Sequence, residues 1–336
     1  MKSTPCVTQT RIPAHLLLCI ALGTAASGPA QAQSWKPTRP IALVVGAAPG
    51  GSIDLTARII QKIWDDHRTV GLPVIVINKP GAGNGIAWSF LNERGGDGHA
   101  IAIGTTNLVT NPVIGSHAIG HRDVTPLAIL FDDYFVLLVR PDSPVKSMAD
   151  VQQRLRADAA ALAIGFGPGM GAGSHTAAAV AVKSLGIDVK SARFVPYKSA
   201  GEAIAAMLGG QIDIVSATAA NAPPFLSSGR LRAIGLIAPQ RLTGALASVT
   251  TMKEQGFDAV FTNWRAVIGP KAMRREHIAY WEHALAAVNE SEAWKKELTR
   301  NFWTANFLRG QAAKQFIEQQ AEAFRALWTE IGVKKL

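Results

Sequence analysis

The chain has 336 residues, 34 Lys and Arg against 24 Asp and Glu, a formal charge of +10 and two cysteines. Both cysteines, Cys6 and Cys19, fall in the first 32 residues, so the rest of the chain has no disulfide, no thiolate metal site and no cysteine nucleophile. About 300 residues without cross-links must be held by hydrophobic cores, a length that suits two domains. The basic charge fits anionic ligands, an anionic membrane surface, or simply a basic exported protein; no basic stripe with interleaved aromatics points to nucleic acid.

Lys2 and Arg11 precede a short apolar stretch at 16–22, and Ala30-Gln31-Ala32 has the form of a cleavage site. This predicts a secretory signal peptide over 1–32, cleaved near Ala32, because the apolar stretch is too short to span a bilayer. Without its two cations the charge falls to +8. The apolar run Ile41-Ala42-Leu43-Val44-Val45 then predicts a buried strand. It is followed by Gly46-Ala47-Ala48-Pro49-Gly50-Gly51-Ser52-Ile53-Asp54 and an amphipathic pattern through Leu55, Ile59, Ile60 and Ile63. Strand, glycine turn and helix together expose the first helical N–H groups, which have no partner within a helix and attract negative charge. The turn is either an anion seat or only a tight connection. Asp54 either caps the helix start or repels an anion.

A second buried strand is expected at 74–77, a glycine-rich turn at 78–85, a helix at 86–92 and a third strand at 101–103 ending in Gly104-Thr105-Thr106-Asn107. Strands alternating with helices imply parallel β-α-β units, whose ligands sit beyond the C-terminal strand ends. The pair Asp132-Asp133 near a hinge could do acid/base work, but solvated turn residues are the commoner reading of such a pair. A strand at 135–139 and a helix from Ser147 to about Ala159 lead to a short strand at 162–164. Then comes Gly165-Phe166-Gly167-Pro168-Gly169-Met170-Gly171-Ala172-Gly173-Ser174-His175 and a helix to about Leu185. Strand, glycine loop and helix thus occur twice, which suggests two helix N-termini facing across a cleft. Strands at 193–195, 212–215 and 232–237 and a helix at 200–208 follow; Thr218 lies in the loop after the second of these strands. A strand at 260–268 returns the chain to the first half, and the remainder is helical. Ile278, Trp281, Leu285 and Val288, then Phe316, Ala323, Phe324, Leu327 and Trp328, have the spacing of core-facing helix residues.

Catalytic constellations are missing. There is no G-x-S-x-G elbow, no H-E-x-x-H and no Walker lysine. Gly169 to Gly173 is only half a dinucleotide fingerprint, with Ser174 at its sixth position. No cofactor or metal is expected, and the chain reads as a binder, not an enzyme. His175 at a helix start either donates to an anion or caps and packs the loop.

In order and spacing, Ala48-Pro49-Gly50-Gly51 with Asp54, Asn78-Lys79-Pro80-Gly81-Ala82-Gly83, Val195-Pro196-Tyr197-Lys198, Leu208-Gly209-Gly210-Gln211-Ile212-Asp213 and Ser228-Gly229-Arg230-Leu231-Arg232-Ala233 resemble the solute-binding proteins of tripartite tricarboxylate transporters, the Bug family. Asp123-Val124-Thr125-Pro126, Lys253-Glu254-Gln255-Gly256 and Asn263-Trp264-Arg265 look most like the tricarboxylate-binding branch. The resemblance implies a two-lobed α/β periplasmic-binding-protein (Venus flytrap) fold, each lobe a mostly parallel sheet flanked by helices. Lobe 1 would comprise 33–131 plus 260–336 and lobe 2 132–259. It implies a monomeric periplasmic receptor that captures a small di- or tricarboxylate and delivers it to membrane permease subunits of a secondary transporter. The alternative is an extracytoplasmic sensing subunit that presents the ligand to a signalling partner.

By motif, Gly50, Gly51 and Ser52 would form the first seat, Thr105 and Thr106 the wall beside it, and Gly169, Gly171, Ser174 and His175 the second seat. Thr218 would supply a strand-end hydroxyl. Ala47, Ala172 and Ala217 replace residues that are often aromatic or polar in relatives, which implies a less polar pocket. Arg265 is either a cationic clamp or a structural salt-bridge residue at the hinge.

Overall fold

The run at 41–45 forms β1 (Ile41–Val45), which lies inside a sheet covered on both faces and is therefore apolar at successive positions. Helix α1 (Ser52–His67) packs Ala57, Ile60, Ile63 and Trp64 inward, and Trp64 Nε1 donates to the Ala284 carbonyl at 3.0 Å. It ends at Arg68, whose left-handed backbone stops the helix. Strand β2 (Val74–Asn78) is the sheet's edge; Ile75 is 52% exposed, so the expected buried strand is buried at Val74 alone. Next come α2 (Gly85–Asn92), β3 (Ala100–Thr105), α3 (Asn107–Ile114) and β4 (Thr125–Asp133).

Tyr134 alone separates β4 from β5 (Phe135–Val139), the first strand of a second sheet. Helix α4 (Met148–Ala157) starts at the Ser147 cap, whose hydroxyl accepts from the Asp150 amide, as its sequence predicts. The second sheet is completed by β6 (Ala163–Phe166), β7 (Arg193–Pro196), β8 (Ile214–Thr218) and β9 (Arg232–Ile237), with α5 (Gly173–Ser184), α6 (Ala200–Leu208) and the short α7 (Pro223–Ser227) between them. The chain then returns to the first sheet as β10 (Asn263–Gly269), followed by α8 (Arg275–Glu290), α9 (Glu292–Arg300), β11 (Thr304–Arg309) and α10 (Gly310–Ile331).

The sheet orders are β11-β4-β10-β3-β1-β2 and β7-β6-β8-β5-β9. Both are mixed. The βαβ pairs β1-β2, β1-β3, β6-β7 and β6-β8 are parallel, whereas β10 runs antiparallel to β3 and β4, and β5 antiparallel to β8 and β9. The edge strand β11 is also antiparallel to β4, but β5 and β10 each begin at a crossing between sheets, so these two start where the parallel strands end. The register makes this concrete: Asn263 lies opposite Asp133, Arg265 opposite Thr105, and Phe135 opposite Thr218. The C-terminal strand ends of both sheets therefore converge on the crossings. Asp132 and Asp133 finish β4 in the first sheet and are not part of the second lobe.

One hydrophobic cluster lies between the first sheet and α1, α8 and α9, and another beneath α6 in the second. A third runs from the α3 and α10 side of the first sheet to α5 in the second. Helix α10 ties the two: Phe316 meets Trp264, Phe324 meets Phe261, and Trp328 lies 5.2 Å from the His175 ring. Trp281 and Trp328 are buried core residues, as their spacing predicts. The structure, a computed structural model, describes residues 1–4, 35–167 and 169–331. Most of the expected signal peptide, with both cysteines and the cleavage site, and Pro168 of the second glycine loop lie outside the described residues.

Candidate functional site

The first-lobe turn does not use its glycines as the motif suggests. Gly50 has φ +84°, and its N–H donates to Asp54 Oδ2 at 2.9 Å. Asp54 also accepts from Arg58 Nε at 2.8 Å and Asn78 Nδ2 at 2.8 Å. Burial pushes the Asp54 carboxyl up, but the hydrogen bonds from Arg58, Gly50 and Asn78 outweigh it and hold it below the usual carboxylate range. Asp54 therefore fastens the turn rather than capping α1. The N-cap position belongs to Gly51, which offers no side chain, so no side-chain cap covers the first turn of α1. Its opening amides, on Ser52, Ile53 and Asp54, have no partner within the helix. Ser52 is half-buried, and its Oγ accepts from Arg265 Nη2 at 3.3 Å.

Arg265 is 4% exposed, and its nearest carboxylate, Asp133, is 1% exposed. Nη2 comes within 3.8 Å of Asp133 Oδ2, an ion pair without a hydrogen bond. Burial pushes Asp133 up to about 7 against the pull of Arg265, and it pushes Arg265 down. The solvated turn expected at Asp132-Asp133 is absent, because both residues lie on β4 between strands. Asp132 is held by Asn306 Nδ2 at 3.1 Å, and its burial pushes it up to about 6.

The wall residues face inward. Thr105 accepts from Asn84 Nδ2 at 3.0 Å and donates to Asn107 Oδ1 at 3.3 Å. Thr106 donates to Asn263 Oδ1 at 3.1 Å, which fixes α3 to the start of β10.

In the second lobe, His175 lies in the interior of the glycine loop. Its ring stacks on Phe166 at 4.5 Å and abuts Phe194 and Trp328. Nδ1 accepts the Gly171 N–H at 3.0 Å. Burial pushes the imidazole down to about 4, so it is neutral and its acceptor nitrogen is occupied. Of the two roles open to His175, its contacts are those of packing and clasping the loop, and the Gly171 amide expected in the seat is used internally. Ser174 spends its hydroxyl on the Gly167 carbonyl at 2.7 Å, and Gly169 N–H donates to the Tyr197 carbonyl at 3.1 Å. What remains open is the first turn of α5, starting at Gly173, where again no side chain caps.

These two turns share one region. Thr110 of α3 donates to the Gly171 carbonyl at 3.3 Å, and a Cβ at Gly171 would fall on Ile114 Cδ1. A Cβ at Gly173 would lie 2.9 Å from Phe135 Cζ and 3.0 Å from Asn263 Oδ1. The second-lobe loop therefore rests on α3 and on the start of β10. Two residues along the same face of β10, Arg265 reaches Ser52 of the first turn. Ser216 and Thr218 lie on the face of β8 turned to α5, and both hydroxyls are buried without a partner. Among the described residues nine buried side-chain atoms lack a hydrogen-bond partner. Five of them, Asp133 Oδ1 and Oδ2, Arg265 Nε, Ser216 Oγ and Thr218 Oγ1, stand at this junction. Buried polar groups are nearly always paired, so their concentration here singles out this junction as the candidate site.

Sequence reasoning missed Asn263, Asp133 and Ser216. The signal for the first two was their place at the ends of strands that cross between sheets. No metal-binding group of three or more His, Cys, Asp or Glu occurs among the described residues.

The chain matches the model of the tripartite tricarboxylate transporter family receptor over residues 57–333. Protein BugT of Bordetella pertussis is 26% identical, covering 98% of this chain and 99% of that protein. A TctC solute-binding protein from Polaromonas, solved without ligand, is 26% identical with a TM-score of 0.69, covering 88% of this chain and 99% of its own. MatC from Rhodopseudomonas palustris, solved with bound malate, is 23% identical with a TM-score of 0.75, covering 87% of this chain and 99% of its own.

Proposed function

The chain belongs to the tripartite tricarboxylate transporter receptor family, a family of periplasmic solute-binding proteins and not of enzymes, and on that premise we propose that it captures a small di- or tricarboxylate at the junction of its two sheets for delivery to a membrane permease. The observation that carries this reading is the buried cation Arg265 behind the uncapped start of α1, with Ser52 between them. A ligand carboxylate there accepts from helix amides and from a guanidinium, bonds that are charge-assisted and strengthened by the exclusion of water.

The contact of the second-lobe loop with α3 supplies the other half of the argument. A ligand that touches both the α1 turn and the Ser216–Thr218 face makes more contacts when the sheets are together than apart. That difference is what shifts a two-lobed protein toward its closed state. MatC shares the fold and was solved with malate, so a four-carbon dicarboxylate is the first compound to try.

Calorimetry and thermal shift of the purified protein against mono-, di- and tricarboxylates test the proposal. Micromolar or tighter binding of at least one acid, with a rise in melting temperature, is expected, since a ligand of the native state raises stability by mass action. Arg265→Gln should weaken that acid by tenfold or more. Binding of no organic acid, or unaltered affinity in Arg265→Gln, would refute it.

A further inference from the structure

We propose that the free edge of β2, with the α2 face beside it, is where an extended acidic segment of the membrane permease docks, added to the first sheet as one more strand. The inference rests on the delivery reading above and names the chemistry of its partner. Strand β2 is the last of the first sheet and pairs only with β1. The Ile41 N–H donates to the Pro73 carbonyl at 2.9 Å and the Lys79 N–H to the Val45 carbonyl at 2.7 Å, so the odd-numbered backbone groups of β2 face β1. The even-numbered ones point outward. Gln61 Nε2 covers the Val74 carbonyl at 2.6 Å, which leaves the N–H and C=O groups of Val76 and Asn78 open at the edge.

The side chains beside this edge are apolar and then cationic. Ile75 and Ile77 lie opposite Ala42 and Val44, on the side of the sheet that α2 covers at β1 and β3. Ile75 is 52% exposed and Ile86, at the start of α2, 47%. One turn along from Ile86, Phe90 carries two cations: Lys79 Nζ lies 4.6 Å from the ring centroid and Arg94 Cζ 3.7 Å. Among the described residues Lys79 has no carboxylate partner, and Arg94 meets only its exposed neighbour Glu93, at 3.9 Å.

The occupant follows from these features together. Two cations on one ring repel each other unless an anion joins them, so the partner is acidic there. A second copy of this chain would bring the same two cations. A lipid headgroup would meet the charge, but it does not bond the alternating N–H and C=O groups of a strand edge; an extended peptide does both. Side chains on one face of a strand recur every second residue. The segment that fits therefore sets Asp or Glu against Lys79 and apolar residues against Ile77 and Ile75. The face adjoins the proposed seat, because Asn78 at the end of β2 donates to the Ala47 carbonyl at 2.9 Å and to Asp54 at 2.8 Å.

The test uses the full receptor in cells that carry its permease, at equal periplasmic amounts, scored as uptake of the carboxylate it binds best. Ile75→Asp with Ile86→Asp, and separately Lys79→Glu with Arg94→Glu, should each cut uptake by about tenfold or more, while calorimetric affinity stays within about twofold and melting stays cooperative. Arg154→Glu with Arg156→Glu, exposed cations of α4, should leave uptake unchanged. No cysteine occurs beyond Cys19, so Ile75→Cys can carry a photo-crosslinker, which should join an acidic stretch of a permease subunit. Undiminished uptake in both double variants overturns the inference, as does a cross-link to a permease stretch without Asp or Glu. Binding to phosphatidylglycerol vesicles that the variants lose would make the face a lipid contact, and a dimer in sedimentation that they abolish would make it a self-contact; either result overturns the inference. If the unaltered receptor binds an acid but supports no uptake, the delivery reading falls and takes this inference with it.

Discussion

Gly51 sits before α1 with φ −75° and ψ 163°, the extended backbone of an N-cap residue, yet it brings no capping side chain. A Cβ there would meet only the Ala48 carbonyl at 3.4 Å and the Ala47 Cβ at 3.6 Å, so a larger residue fits. Gly51→Asp should therefore fold and gain a few tenths of a kcal/mol from capping, with about 0.3–1 kcal/mol more from the helix dipole. The same carboxylate would occupy the Ile53 and Asp54 amides and place negative charge where the ligand's charge belongs. Losing one or two charge-assisted bonds costs about 1.5–3 kcal/mol each, so affinity should drop by roughly tenfold to beyond a hundredfold. Gly51→Asn caps without charge and should fall between, while Gly51→Ala should bind nearly as the unaltered protein does. Calorimetry with the best carboxylate, alongside thermal melts, separates the effects. A Gly51→Asp protein that is as stable as expected but binds undiminished would show that the α1 turn is not the seat.

Two further outcomes follow from burial. His175 is depressed to about 4 from its usual 6.5, so its contribution to stability is full above pH 6.5 and is lost as pH falls toward 4. Asp133 is raised to about 7, so its contribution is full below its unfolded value near 3.8 and is lost as pH rises toward 7. Over pH 4.5–6.5 the two oppose each other. Asp133→Asn should uncover the histidine, making stability rise with pH more steeply than in the unaltered protein by up to about 1.4 kcal/mol per pH unit; parallel urea titrations across that window would contradict the assignment. Separately, Gly171→Ala must adopt φ +75° and press its Cβ onto Ile114, so melting should show a loss of about 1–3 kcal/mol. An unchanged melting temperature would mean the loop does not rest on α3.

The strand–helix alternation, the glycine turns and the return of the chain to the first sheet were legible because each leaves a local mark: an unbroken apolar run, a cluster of Gly and Pro, a change of period. Helix α3 and strands β4 and β11 were not. Helix α3 is eight residues with Pro112 inside it, too short and too interrupted to display a period. Strand β11 has no fully buried residue, so its pairing with β4 depends on α10 folding over it rather than on its own pattern. Parallel pairing is likewise a property of order in space. Reading β5 and β10 as strands did not show that each would lie antiparallel to its neighbours, because that follows from where the chain crosses between sheets.

The site was half legible for a related reason. A glycine turn before a helix announces free amides, but it does not say which amides the turn consumes for itself. Asp54 takes the Gly50 N–H and His175 takes that of Gly171, so in both lobes the residue that looks like a ligand contact or a repulsive charge is the clasp that shapes the loop. The donors left over begin two residues further on, at the first residues of α1 and α5. What gathers them is non-local: Arg265 is 213 positions from Ser52, and Asn263 is 157 from Thr106. No spacing rule reaches that far, yet a physical one does. Asp133 at the end of β4 and Arg265 near the start of β10 are charged residues that the burial of both strands forces indoors, and an indoor charge without a full set of partners is expensive to keep. Replacing the pair with apolar residues would cost the fold little and could stabilise it. The pair stands where the two sheets meet and the first helix begins, which is why the proposed carboxylate site is placed there.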